Sequence, residues 1–160
     1  MPPHTEQEQR PKLTVLVDTS QSMLTEDSQN NTRIGLVKST WLDRDQINEL
    51  TRDFSLDIYS FDEKTRPAVP STFRQEDEEV ATGRTTRLAR SVTNVVSKLT
   101  PGEDGAAMLV ISDGRDTEDA PIQSAASLAS RATTPRTVSN EQAFCAQNYG
   151  KGKTAKYRKK

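Results

Sequence analysis

LTVLVDTSQSM, residues 13–23, is the stretch on which the fold turns. Its first five residues are apolar or β-branched without a polar interruption. Such a run suits a short strand buried on both faces, as in a parallel sheet. The run stops at Asp18 and gives way to a polar loop in which Asp18, Ser20 and Ser22 alternate with other residues. A second run of the same kind, Ala106 to Ser112 (AAMLVIS), leads into DGRDTED. Two buried strands, each followed at once by an oxygen-rich loop, are the frame on which the other segments are placed.

Between them, Arg33 to Phe54 reads as helix. Ile34, Val37 and Trp41 recur at helical spacing, as do Ile47, Leu50 and Phe54, with a break of phase near Leu42–Asp45. Phe54 to Phe61 alternates as a second strand. Ala68 to Phe73 reads as a short edge strand, flanked or interrupted by Pro67 and Pro70. Gln75 to Gly83 reads as an acidic loop. A helix is expected from Thr85 or Thr86 through Leu99, with Leu88, Val92, Val95, Val96 and Leu99 on its apolar face and Pro101–Gly102 ending it. Pro121 to Arg131 is alanine- and serine-rich and reads as a last helix. The alternation of strands and helices predicts an α/β fold: an open, mostly parallel, Rossmann-like sheet with helices on both faces. No internal repeat is visible at 20–50 residues.

The domain is expected over residues 12–131, between a disordered arm at 1–11 and a disordered basic tail at 132–160. The 160 residues suit one domain. Basic and acidic residues nearly balance, 22 against 23, so no overall charge points to nucleic acid or membrane. The last ten residues, KGKTAKYRKK, concentrate the basic charge, and the body before them is acidic. That tail could touch polyanions through charge alone, with no specific nucleic-acid site expected. No apolar run reaches the ~18–20 residues of a membrane span, and MPPHTEQEQRPK is no signal peptide. A soluble, cytoplasmic protein is expected.

The oxygen donors carry the chemistry. In an open α/β sheet, ligands bind beyond the carboxyl ends of the strands, where the strand order reverses. If the Leu13 and Ala106 strands are neighbours there, Asp18, Ser20 and Ser22 share one end of the sheet with Asp113. The start of the Thr86 helix can join them. Two carboxylates and three hydroxyls, without His or Cys, suit a hard divalent cation: Mg²⁺, or Mn²⁺ or Ca²⁺ in its place. Other residues suggest less. His4 lies in the arm and Cys145 in the tail, Trp41 suits packing, and Asp116, Glu118 and Asp119 read as loop and helix-start charges. GKGKT at 150–154 is not a phosphate loop, because Gln147 stands where that pattern needs glycine.

These blocks resemble the von Willebrand factor type A family, and most of all bacterial proteins that carry this domain. VLVDTSQSM is similar to the family's first strand and D-x-S-x-S loop, TTRLARSV to the stretch holding the site threonine, and LVISDGRDT to the strand and final aspartate. The resemblance spans about residues 12–131. It implies a metal-ion-dependent adhesion site of Asp18, Ser20, Ser22, Thr86 and Asp113, with Thr85 as the alternative threonine. It implies a non-catalytic module that engages an acidic side chain of a protein partner through the bound cation. The family's sheet has six strands in the order 3-2-1-4-5-6, and the sequence supplies four. The reading is therefore of a C-terminally truncated domain lacking the last two strands, with the Ala106 strand left as an edge open to self-association by strand pairing. Two alternatives stand beside it. One is a truncated, non-functional remnant. The other is a metal-assisted phosphohydrolase, which would use Asp18 as nucleophile but has Ser20 where a second carboxylate is needed.

Overall fold

The computed structural model describes residues 10–26, 29–99, 106–114, 116–118, 123–125, 127 and 143–147; for Ala106 and for 143–147 the description is of the backbone. The apolar run after Pro11 forms β1 (Lys12–Asp18), buried from Leu13 onward. Strands β2 (Ser55–Phe61), β3 (Thr65–Ala68), β4 (Ala106–Ile111) and β5 (Ala143–Gln147) complete one sheet in the order β3-β2-β1-β4-β5. β1 is central. It pairs in parallel with β2 on one side and with β4 on the other. The chain thus leaves β1 in one direction and returns on its opposite flank, and β1 and β4 bound the switch point.

Alternation along β1 divides its side chains between two apolar clusters, as the two-residue period of a strand requires. Leu13, Val15 and Val17 join Ile34 and Val37 of α1 (Arg33–Thr40) and Leu50 of α2 (Arg44–Asp53). Leu16, fully buried, joins Leu88, Ala89, Val92, Val95 and Val96 of α4 (Leu88–Val96). The predicted break of phase near Leu42 is real: Trp41 to Asp43 separate α1 from α2, and Asp43 restarts the helix by accepting from the Asp45 N–H. Trp41 packs, partly buried, against the first cluster.

Several boundaries differ from the sequence reading. The edge strand runs over Thr65–Ala68, antiparallel to β2, and Pro70–Arg74 forms a 3-10 turn that buries Phe73. Pro67 is tolerated because β3 has no strand on its outer side among the described residues, and Pro70 suits the first turn of a helix. The acidic segment is not all loop: α3 (Asp77–Val80) adds one helical turn whose end buries Val80 and Ala81. α4 starts at Leu88 and ends at Val96, shorter at both ends than expected.

The largest correction concerns the segment after Arg131, read as a disordered tail without a strand. β5 lies within it and pairs antiparallel with β4, from Ala107↔Gln147 to Ile111↔Ala143. The sheet has five strands, and β4 is an inner strand with neighbours on both sides. AFCAQ is too short and too mixed to signal a strand by itself. Its pairing is imposed by the unsatisfied backbone row that β4 would otherwise present. Residues 123–125 are helical, within the expected last helix. His4 and the GKGKT segment lie outside the described residues. Among the described residues, no helix is long and apolar enough to cross a membrane.

Candidate metal centre

Asp18 is the last residue of β1, fully buried. Its two carboxylate oxygens are held from different directions. The Ser20 N–H donates to Oδ1 at 2.9 Å, closing a tight local turn, and the Ser112 hydroxyl donates to Oδ2 at 2.6 Å from the end of β4. A carboxylate offers about four acceptor positions, so two protein donors leave capacity for another ligand. Burial pushes the Asp18 carboxyl above its ordinary value. Hydrogen bonds from Ser112 and Ser20 pull the other way, and the charge of Asp113 adds to the rise.

The next turn presents two hydroxyls. Ser20 Oγ and Ser22 Oγ stand 2.9 Å apart. Ser20 is buried, and its backbone forms a parallel bridge with Gly83. Gly83 N–H donates to the Thr19 carbonyl at 3.0 Å, and Gln21 N–H to the Gly83 carbonyl at 2.7 Å. This zipper needs glycine: a Cβ at position 83 would lie 2.2 Å from the Asp62 Cβ. The same approach carries the chain on to Thr86.

Thr86 is buried at the start of α4, and its backbone is clamped by Thr117. The Thr117 hydroxyl accepts from Thr86 N–H and lies 3.0 Å from the Thr86 carbonyl, which also accepts from Thr117 N–H. Asp116 supports the same junction. Its Oδ2 accepts from Ala89 N–H at 3.2 Å, satisfying a first-turn donor of α4 that Arg87 does not cap. Glu118 pairs with Arg87 and Arg90. The acidic loop after Asp113 therefore serves the start of the preceding helix.

Asp113 follows β4, with its side chain 2% exposed. Arg33, the first residue of α1, donates to Asp113 Oδ2 at 2.9 Å and approaches the Ser22 carbonyl at 3.5 Å. Gly114, at φ +79°, turns the chain in a conformation that L side chains rarely adopt. The structure thus brings Asp18, Ser20, Ser22 and Asp113 to one end of the sheet, linked through Ser112 and Arg33, and ties Thr86 by its backbone to Thr117 in the segment after Asp113. The Thr85 hydroxyl is buried without a hydrogen-bond partner among the described residues.

Ser112, Arg33 and Thr117 escape sequence reading. Ser112 had a signal, being the polar end of an apolar strand beside Asp113. Arg33 had none, since 80 residues separate it from its partner. Among the described residues no three His, Cys, Asp or Glu side chains gather; the cluster has two carboxylates, with hydroxyls as its other donors. No protein-family model matches the chain, and no curated protein matches it.

The donor set fits a small hard cation. Mg²⁺ binds oxygens at ~2.0–2.1 Å in octahedral geometry, which places adjacent ligand oxygens about 2.9 Å apart. The Ser20 and Ser22 hydroxyls, hydrogen-bonded to each other at 2.9 Å, stand at a separation that such ligands would also have.

Proposed function

We propose that this end of the sheet is a divalent-cation site of the von Willebrand factor type A kind, and that the protein is a non-catalytic, metal-dependent protein-binding module. Asp18, Ser20, Ser22, Thr86 and Asp113 supply the oxygens, directly or through water. Mg²⁺ or Mn²⁺ would bridge the site to an acidic side chain of a partner. The observation that carries this reading is the buried Asp18 carboxylate with spare acceptor capacity beside the hydrogen-bonded pair of Ser20 and Ser22 hydroxyls. The order β3-β2-β1-β4 of the first four strands, with β1 parallel to both β2 and β4, supports it, whereas β5 runs antiparallel to β4.

The cation's role is to offer an open coordination position to an anionic group. The protein's part is to hold the oxygens in place. Ser112 and the Ser20 N–H orient Asp18, the Gly83 bridge fixes the serine loop, and Thr117 fixes the backbone of Thr86.

Calorimetric titration with Mg²⁺ and Mn²⁺ tests the site. A single saturable event, lost in Asp18→Ala, is expected. Water-proton relaxation of the Mn²⁺-loaded protein tests the open position: it falls when a glutamate-bearing peptide replaces a coordinated water. No heat from wild type with either metal, in a protein that melts cooperatively, rejects the proposal.

A further inference from the structure

Arg33 stands apart from the oxygen donors it contacts. Its side chain is 26% exposed, whereas the Asp113 side chain that it pairs with is 2% exposed. The same nitrogen that reaches Asp113 Oδ2 also approaches the Ser22 carbonyl. One cationic group thus touches the first loop and the last aspartate of the candidate site together. Two oxygen-bearing segments drawn to one positive charge are what a bound cation would also produce.

The electrostatics give this contact a purpose. Asp18 ends β1 and Asp113 follows its parallel neighbour β4, and both carboxylates are shielded from water. Two buried carboxylates without a counter-charge destabilise a fold. Arg33 supplies a permanent positive charge, since guanidinium does not lose its proton in proteins. It is anchored at the start of α1, whose Thr32 cap and buried Ile34 hold the backbone in place.

We infer that Arg33 is a built-in counter-cation, which stands in for the divalent ion at Asp113 in the metal-free protein and thereby lowers the site's affinity for that ion. This inference rests on the metal-site reading above. Arg33 is a positioning residue with two consequences. It balances the charge of Asp113, and it repels an incoming cation, so the site loads only at higher metal concentration.

The experiment compares wild type, Arg33→Lys and Arg33→Gln by calorimetry with Mg²⁺ and by thermal melting in chelator and in saturating Mg²⁺. Arg33→Gln is expected to bind Mg²⁺ about threefold or more tightly, because a like charge has been removed. Its Tm falls in chelator, and Mg²⁺ restores most of the loss. Arg33→Lys keeps the charge and stays near the wild-type affinity. As a check that needs no variant, the Arg33 side-chain Nε–H resonance of wild type shifts along the same Mg²⁺ saturation curve as the heat. Equal or weaker Mg²⁺ binding by Arg33→Gln overturns the inference, as does an Arg33 resonance that ignores Mg²⁺. If wild type itself takes up no metal, the metal-site reading fails and this inference with it. Wild-type binding with an unchanged Arg33→Gln affinity removes the inference alone.

Discussion

Asp18 illustrates how burial sets the energetics of one side chain, which the proposed metal site would turn to use. Burial raises its pKa above 3.8 in the fold. The protonated form therefore favours the folded state. That contribution is complete below the ordinary value and disappears as pH rises through the folded value. In the proposed site a divalent ion would supply the missing compensation, so Mg²⁺ affinity should increase with pH across the Asp18 titration, with proton release on binding. Asp18→Asn removes the charge while keeping the shape. We expect its metal-free Tm at pH 7 to equal or exceed that of wild type, with the Mg²⁺-induced rise abolished; differential scanning calorimetry in chelator and in Mg²⁺ reads both. Two glycines make opposite demands nearby. Gly83→Ala forces a methyl against the Asp62 side chain and should cost about 1–3 kcal/mol, read by urea denaturation. Gly114→Ala meets no atom within 4 Å, so its penalty of ~1–2 kcal/mol comes from backbone strain alone.

At the scale of elements, α1 is tied to the segment around α3 by a small polar knot. Thr32 caps α1 by accepting from Gly35 N–H at 2.9 Å, and its hydroxyl donates to Asp77. Lys38 adds an ion pair to Asp77 at 2.6 Å and a hydrogen bond to the Gln75 carbonyl. Burial works to raise the Asp77 carboxyl, but the hydrogen bonds from Lys38 and Thr32 and the Lys38 charge outweigh it, and its pKa falls below 3.8. The stability this supplies is present above the ordinary value and is lost as pH falls through the lowered one. Lys38→Met should therefore flatten the acid end of the stability profile, and Thr32→Ala should cost about 1 kcal/mol at neutral pH. Equilibrium unfolding between pH 2 and 7 separates the two. This knot also shows what the sequence leaves unread. The α1 pattern was legible from Ile34, Val37 and Trp41, whereas Asp77 looked like one more acid in a solvated loop. Partners 45 residues apart leave no local trace. The strands β1 and β4 were legible because continuous apolar runs have few other uses. Asp18, Ser20, Ser22 and Asp113 were legible because each sits just beyond such a run. Ser112 and Thr117, which do the holding, look like ordinary loop hydroxyls.

At the scale of the whole molecule, the sheet is built around β1, and the apolar side chains of that strand divide between the two clusters. β4 depends on β5 for its outer hydrogen bonds. Removing residues 132–160 should expose that side of a hydrophobic strand, and exposed edges recruit other chains. The shortened chain is expected to elute as dimers or larger species in size exclusion while the full chain does not; a monomeric, cooperatively melting product would show that β4 needs no cover. The segment was misread because composition alone was weighed: its polarity suits a tail, and only the neighbouring strand makes five of its residues a ladder.

The bond from Ser112 to Asp18 spans 94 residues, and that from Thr19 to Phe61 spans 42. A sheet whose middle strand is first in the chain cannot close until its last inner partner exists, and such long-range pairing places folding among the slower, millisecond-to-second processes. During synthesis the delay is longer still. At roughly 5–20 residues per second, the serine loop leaves the ribosome several seconds before β4 can meet it. Throughout that interval the serine loop waits without Ser112 to hold Asp18, so on the proposed metal-site reading ion capture would be a late event that reports completion of the sheet.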